Sequence, residues 1–222
     1  MSVAPTAVPA GRPIGLAPGA PEDAAGQDAK KYATANPVVQ RLLARWMGLL
    51  TGVIGTVDPV STVVDVGVGE GLALERMLPS GHRAIGVEYR FDKVCAARER
   101  LPGLAGVRSD AGMLPLVDRC ADLVTCIELL EHLPTSVSAV AELARITRGR
   151  CVVSVPWEPW FRLGNLGRGK NVRRFGNDPE HVQSFTPGRL RRALQAGFQD
   201  VTITPAFPWL IAEARRPLPA GR

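Results

Sequence analysis

The sequence lacks the spacings and runs that mark several common protein classes. Its four cysteines, Cys95, Cys120, Cys126 and Cys151, form no Cys-x-x-Cys pair, so they read as small apolar core residues rather than as a zinc or redox motif. No basic stretch followed by an apolar run opens the chain. Residues 1–27, rich in Pro, Ala and Gly, are therefore expected to be a flexible tail, and the protein to be cytoplasmic. The longest apolar neighbourhood, Val38 to Val57, carries Arg41 and Arg45 and reads as a core-facing or lid helix, not as a membrane span. Aromatic residues are only 5% of the chain, few for stacking bases, and no separate RNA-binding domain or internal repeat is visible. These features weigh against a nucleic-acid partner, although the net charge of +6 fits a solvated surface, a nucleic acid or another anionic partner alike.

What is present fits one α/β domain. At 222 residues, with 45% apolar and 22% charged content, the chain can bury one sizeable core but hardly two. The stretch Val63-Val64-Asp65-Val66-Gly67-Val68-Gly69-Glu70-Gly71 runs from β-branched residues into an acidic residue and alternating glycines. It predicts a buried parallel strand followed by a backbone loop able to approach a ligand closely. A dinucleotide fingerprint would need its third glycine where Leu72 stands, which argues against a nicotinamide cofactor.

Further elements alternate along the chain. Asn36-Pro37 predicts a helix start. Strands are expected at about 62–66, 83–87, 106–109, 121–126 and 150–155, with helices at 72–77, 91–101 and 135–146 between them. This order implies a parallel sheet with right-handed crossovers. Residues 156–186 change character, with Trp157, Trp160 and Phe161 beside Arg162, Arg168, Lys170, Arg173 and Arg174, and are expected to recognise the acceptor. A helix from Pro187 and two strands, 200–204 and 209–214, close the domain, taken as 28–216 with a short tail at 217–222.

The pattern Asp-x-Gly-x-Gly-x-Gly resembles motif I of the class I S-adenosylmethionine-dependent methyltransferases. That resemblance implies a Rossmann-like seven-stranded sheet, mostly parallel with an antiparallel C-terminal strand, and S-adenosylmethionine as cofactor. It further implies that Asp65, Gly67, Gly69 and Gly71 hold the methionine part and that Asp110 and Ala111 meet the adenine, with Tyr89 and Met113 against the ring. Glu88 ends the second strand, where a carboxylate can accept from both ribose hydroxyls. Glu128 follows the fourth strand, near the methyl group.

Cys126-Ile127-Glu128-Leu129-Leu130-Glu131-His132-Leu133-Pro134 is the second informative stretch. Glu128, Glu131 and His132 are spaced i, i+3, i+4, so a helical turn would aim all three at one point. With His181 in Glu180-His181-Val182 the set resembles the Glu-x-x-Glu-His group of metal-dependent O-methyltransferases, such as those of ubiquinone biosynthesis. The implied metal ligands are Glu128, Glu131, His132 and His181, holding Mg²⁺, Mn²⁺, Zn²⁺ or Fe²⁺. Without a metal, His132 or Glu131 is the candidate base.

The expected reaction is methylation of a hydroxyl on a small biosynthetic acceptor, anionic or lipid-linked. RNA ribose methylation, carbon or nitrogen methylation, and a noncatalytic methyltransferase-like partner protein are the alternatives.

Overall fold

The structure is a computed structural model that describes residues 35–58, 60–78, 83–167, 175 and 180–218. Helix α1 (Pro37–Ile54) begins at Asn36, whose side chain accepts from the amides of Val38 and Val39, with Pro37 at the first helical position. Its stripe of Leu43, Trp46, Leu50 and Ile54 is buried, each such side chain stabilising the fold by about 1.5–3 kcal/mol. Arg41 and Arg45 face solvent. Val38, at the start of the apolar neighbourhood, is exposed in the first turn.

Strands β1 (Val63–Val66), β2 (Ala84–Glu88), β3 (Ala105–Arg108), β4 (Ala121–Ile127) and β5 (Thr147–Pro156) alternate with helices α2 (Leu72–Met77), α3 (Phe91–Arg100) and α4 (Val137–Ile146). Then follow α5 (Trp160–Gly167), α6 (Pro187–Gln195), β6 (Phe198–Ala206) and β7 (Trp209–Pro217). The sheet order is β3-β2-β1-β4-β5-β7-β6. Strands β1 to β5 pair in parallel, and β7 runs antiparallel to both of its neighbours. This is the predicted seven-stranded, mostly parallel α/β sheet.

Side chains alternate along each strand, so the sheet has an apolar layer on each face. Val64, Val124 and Val153 pack with Leu143, Ile146, Leu190 and Leu194 of α4 and α6. Val63, Leu123 and Val152 pack with Trp46 and Leu50 of α1 and with Leu74 and Met77 of α2. Cys126 and Cys151 lie fully buried in β4 and β5, where burial pushes both thiols up; they are core, as expected.

The sheet order reverses between β1 and β4. That is the topological switch point, and ligands of open α/β sheets bind at the carboxyl ends of the strands there. Strand β7 reaches Pro217, and the Leu218 amide donates to the Gly197 carbonyl, so the sheet runs into the segment expected as a tail. Residues 1–34, His82, and 168–174 and 176–179 of the acceptor-recognition segment, with their basic set Arg168, Lys170, Arg173 and Arg174, lie outside the described residues.

Candidate active site

The glycine loop leaves β1 and is tied to β2 at once, the amides of Gly67 and Val68 both donating to the Val87 carbonyl at 2.8 and 3.1 Å. Gly67 has φ +83°, and a Cβ there would stand 3.0 Å from the Leu129 side chain. Both facts require glycine.

Glu88 ends β2 with its carboxylate oriented by backbone: the Gly69 amide donates to Oε2 at 3.2 Å and the Arg90 amide to Oε1 at 3.0 Å. Asp65 lies beneath the loop, 1% exposed, and its Oδ1 accepts from the Thr125 hydroxyl at 2.6 Å. Burial pushes its pKa from the ordinary 3.8 up to about 7; the Thr125 hydrogen bond opposes the rise and the Glu88 charge adds to it.

Above these residues a cleft is lined by Gly67, Val87, Glu88, Tyr89, Ser109, Asp110, Ala111, Leu129 and Leu133. Asp110 Oδ1 accepts from the Gly112 amide at 2.8 Å. Its other oxygen, Oδ2, is buried and has no hydrogen-bond partner among the described residues. A buried acceptor left open in this way is costly unless a donor completes it, and the exocyclic amine of an adenine is such a donor. The glycine cradle, the oriented Glu88 carboxylate and the open Asp110 oxygen fit a nucleoside cofactor.

Met113 is 52% exposed and outside the lining. Leu129 and Leu133 supply apolar walls instead, and neither was singled out from sequence. Gly69, Gly71 and Asp65 are outside the lining as well.

The stretch after β4 is not a regular helical turn. Glu128 has φ +52°, a left-handed conformation uncommon for a residue with a side chain, and only Leu130–His132 forms a short 3₁₀ turn. Glu128 is thereby turned so that its Oε1 accepts from the Trp209 indole at 2.6 Å. Three of the four predicted metal ligands converge: Glu131, His132 and His181 each bring a ligand atom within 4.8 Å of the others. Glu128 is not in that group.

Glu131 is 1% exposed, and a carboxylate so buried calls for cationic or hydrogen-bonding partners. His132 Nδ1 lies 3.0 Å from the Glu180 carbonyl. A carbonyl only accepts, so Nδ1 carries a proton and donates to it; in the neutral ring the lone pair then lies on Nε2.

Aromatic side chains enclose this cluster. The His181 ring packs on His132 at 5.1 Å and on Phe161 of α5 at 5.5 Å, and Phe161 packs edge-on to Trp209 at 6.0 Å. Trp209 stacks on Trp46 of α1 at 5.0 Å, while the Trp46 indole donates to the Ser154 hydroxyl at 2.9 Å. The helix before β1 thus braces the site from behind. Trp157, Trp160 and Phe207 form a second aromatic group at the same end of the sheet. Beside them Glu158 is buried, which raises its pKa, with Arg162 opposing.

Comparison with known proteins agrees with this geometry. Residues 64–153 match the family model described as "Methyltransferase domain". A demethylmenaquinone methyltransferase of Beutenbergia cavernae is 29% identical over 153 residues, covering 64% of this chain and 63% of the relative. A ubiquinone biosynthesis O-methyltransferase of Bordetella parapertussis is 36% identical over 98 residues, covering 40% of each. Among solved structures, an S-adenosylmethionine-dependent methyltransferase of Thermotoga maritima, described as a possible histamine N-methyltransferase, superposes with a TM-score of 0.66 at 17% identity, over 86% of this chain and 95% of that one. The chain spans between about half and just under two thirds of the length of the curated relatives it matches first. The sheet order and the glycine loop agree with the match of residues 64–153 to a methyltransferase domain.

Proposed function

We propose that this chain transfers a methyl group from S-adenosylmethionine to a hydroxyl of a small biosynthetic acceptor, with a divalent cation held by Glu131, His132 and His181. The observation that carries the reading is the convergence of those three side chains within 4.8 Å, after the carboxyl end of β4 and adjoining Leu133, which lines the cleft.

The bound cofactor supplies an electrophilic methyl on a good leaving group, and a divalent cation supplies a lowered pKa for a hydroxyl bound to it. The protein has to position, orient and deprotonate. With the cofactor bound, Asp110 Oδ2 would accept from the adenine amine, Glu88 would accept from the ribose hydroxyls, and the glycine loop would let backbone amides approach the methionine part. His132 presents Nε2 with its lone pair because Nδ1 is committed to the Glu180 carbonyl. That same tautomer suits a general base, so direct proton removal by His132 is the second reading.

With Glu128 turned to Trp209, the set is one carboxylate and two imidazoles. This donor set suits Mn²⁺, Fe²⁺ or Zn²⁺ better than Mg²⁺. The names of the quinone-pathway relatives and the aromatic shell of Phe161, Trp157 and Trp160 support a planar, ring-bearing acceptor. The positive net charge supports an anionic or lipid-linked one.

A direct test incubates the protein with isotope-labelled S-adenosylmethionine and 3,4-dihydroxybenzoate, an anionic aromatic diol, before and after chelation. An O-methyl product lost on chelation and restored by Mn²⁺ or Zn²⁺ supports the reading. An O-methyl product indifferent to chelation assigns the proton to His132. A carbon-methylated product overturns the assignment to oxygen.

A further inference from the structure

Glu131 and His132 lie on the turn after β4, whereas His181 arrives from a segment some fifty positions later, and something must fix their separation. Gln183 spans the two pieces. Its side-chain amide donates to the Leu130 carbonyl at 3.2 Å and to the Leu133 carbonyl at 2.7 Å, gripping the 3₁₀ turn at both ends. Its backbone amide and that of Val182 donate to the Glu131 carbonyl at 3.0 and 2.9 Å. The same docked segment presents the Glu180 carbonyl to His132 Nδ1 at 3.0 Å.

We propose that Gln183 is the positioning residue of this site: its amide clamps the 180–183 segment onto the Leu130–Leu133 turn, thereby setting the tautomer of His132 and the spacing of His132 from His181. The inference deepens the reading of Glu131, His132 and His181 given above and rests on it. Two features single out Gln183. The Leu133 carbonyl, at the end of the turn, would otherwise seek water or a cap, the Leu130 carbonyl accepts within the turn only from the Leu133 amide at 3.4 Å, and one planar amide, with two donors on a single nitrogen, meets both. Partners that orient ligating histidines from outside the ligand set typically account for about 10–100-fold in metal affinity.

The test is Gln183→Met, which keeps the length of the side chain and removes both donors. In metal-free wild-type protein, long-range proton–nitrogen NMR of the His132 ring should show the Nδ1–H form alone; in the variant it should show a mixture of tautomers. Zn²⁺ affinity, measured by competition with a chromophoric chelator, should fall about 10–100-fold, with S-adenosylhomocysteine affinity within about twofold of wild type. Gln183→Glu, of the same shape but with acceptors facing the two carbonyls, should behave alike.

An unchanged His132 tautomer in both variants overturns the proposal. So does a loss of S-adenosylhomocysteine binding in both, because the residue would then serve the fold as a whole. If wild-type protein binds no Zn²⁺ while the variants still shift the tautomer, the metal reading fails and the role of Gln183 stands.

Discussion

Replacing Asp65 with asparagine should make stability less dependent on pH. The carboxyl is buried beneath the glycine loop with one hydrogen bond, from Thr125, and burial raises its pKa from 3.8 to about 7. One pKa unit corresponds to about 1.36 kcal/mol, so the full linkage is on the order of 4 kcal/mol. The folded chain holds this proton more tightly than the unfolded chain does. Its contribution is therefore complete below the ordinary carboxyl pKa of 3.8 and lost as pH rises towards about 7. Asp65→Asn stays neutral throughout and escapes that loss.

Urea unfolding followed by tryptophan fluorescence, run on both proteins from about pH 5 to about pH 8.5, reads the effect. The stability difference in favour of the variant should grow by about 2–3 kcal/mol up to about pH 7 and then level off. Asp92 and Asp122, whose pKa values are lowered by Arg90 and Arg148, act in the opposite direction, but they are common to both proteins and cancel in the difference. Parallel curves would refute the argument, since they would mean that Asp65 titrates alike in the folded and unfolded chain.

Two further substitutions probe the scaffold and the cradle. Ser154→Ala removes the acceptor for the Trp46 indole and the donor to the Leu210 carbonyl, both in buried surroundings, and should cost about 2 kcal/mol in unfolding free energy; a loss below about 0.5 kcal/mol would show that this link does not hold α1 to the sheet. Gly67→Ala places a Cβ against Leu129 at φ +83°, a conformation costing about 1–2 kcal/mol for an L-residue. It should weaken S-adenosylhomocysteine at least about tenfold, and calorimetry showing unchanged affinity would contradict the close-approach role of the loop.

Much of the fold was legible because it is encoded locally. The Val63–Val66 and Ala121–Cys126 runs are apolar enough to mark strands buried on both faces, and Asn36-Pro37 marks its helix start by capping chemistry alone. Boundaries set by pairing were not legible: β5 begins at Thr147, before the apolar run, because its residues ladder onto β4 across a register shift. Likewise β7 continues through Arg215 and Arg216 because β6 pairs with it that far.

In the site, residue type at a strand end pointed to Glu88 and the family resemblance to Asp110, and both line the cleft. Helical spacing grouped Glu128 with Glu131 and His132, but the left-handed backbone at Glu128 and its bond to Trp209, distant in sequence, turn it elsewhere. Gln183 carried no signal at all, since its importance lies in which carbonyls it reaches. Among the described residues no helix is long and apolar enough to cross a membrane, in keeping with the reading of Val38 to Val57.

The central claim is that the cleft between the glycine loop, Glu88 and Asp110 holds the nucleoside of the methyl donor. Calorimetric titration of S-adenosylhomocysteine into the wild-type protein and into Glu88→Ala and Asp110→Ala tests it most directly. The account predicts saturable one-site binding by the wild type, weakened at least about tenfold in each variant through the loss of hydrogen bonds to a charged group. Absence of binding by the wild type, or equal affinity in all three proteins, would contradict it.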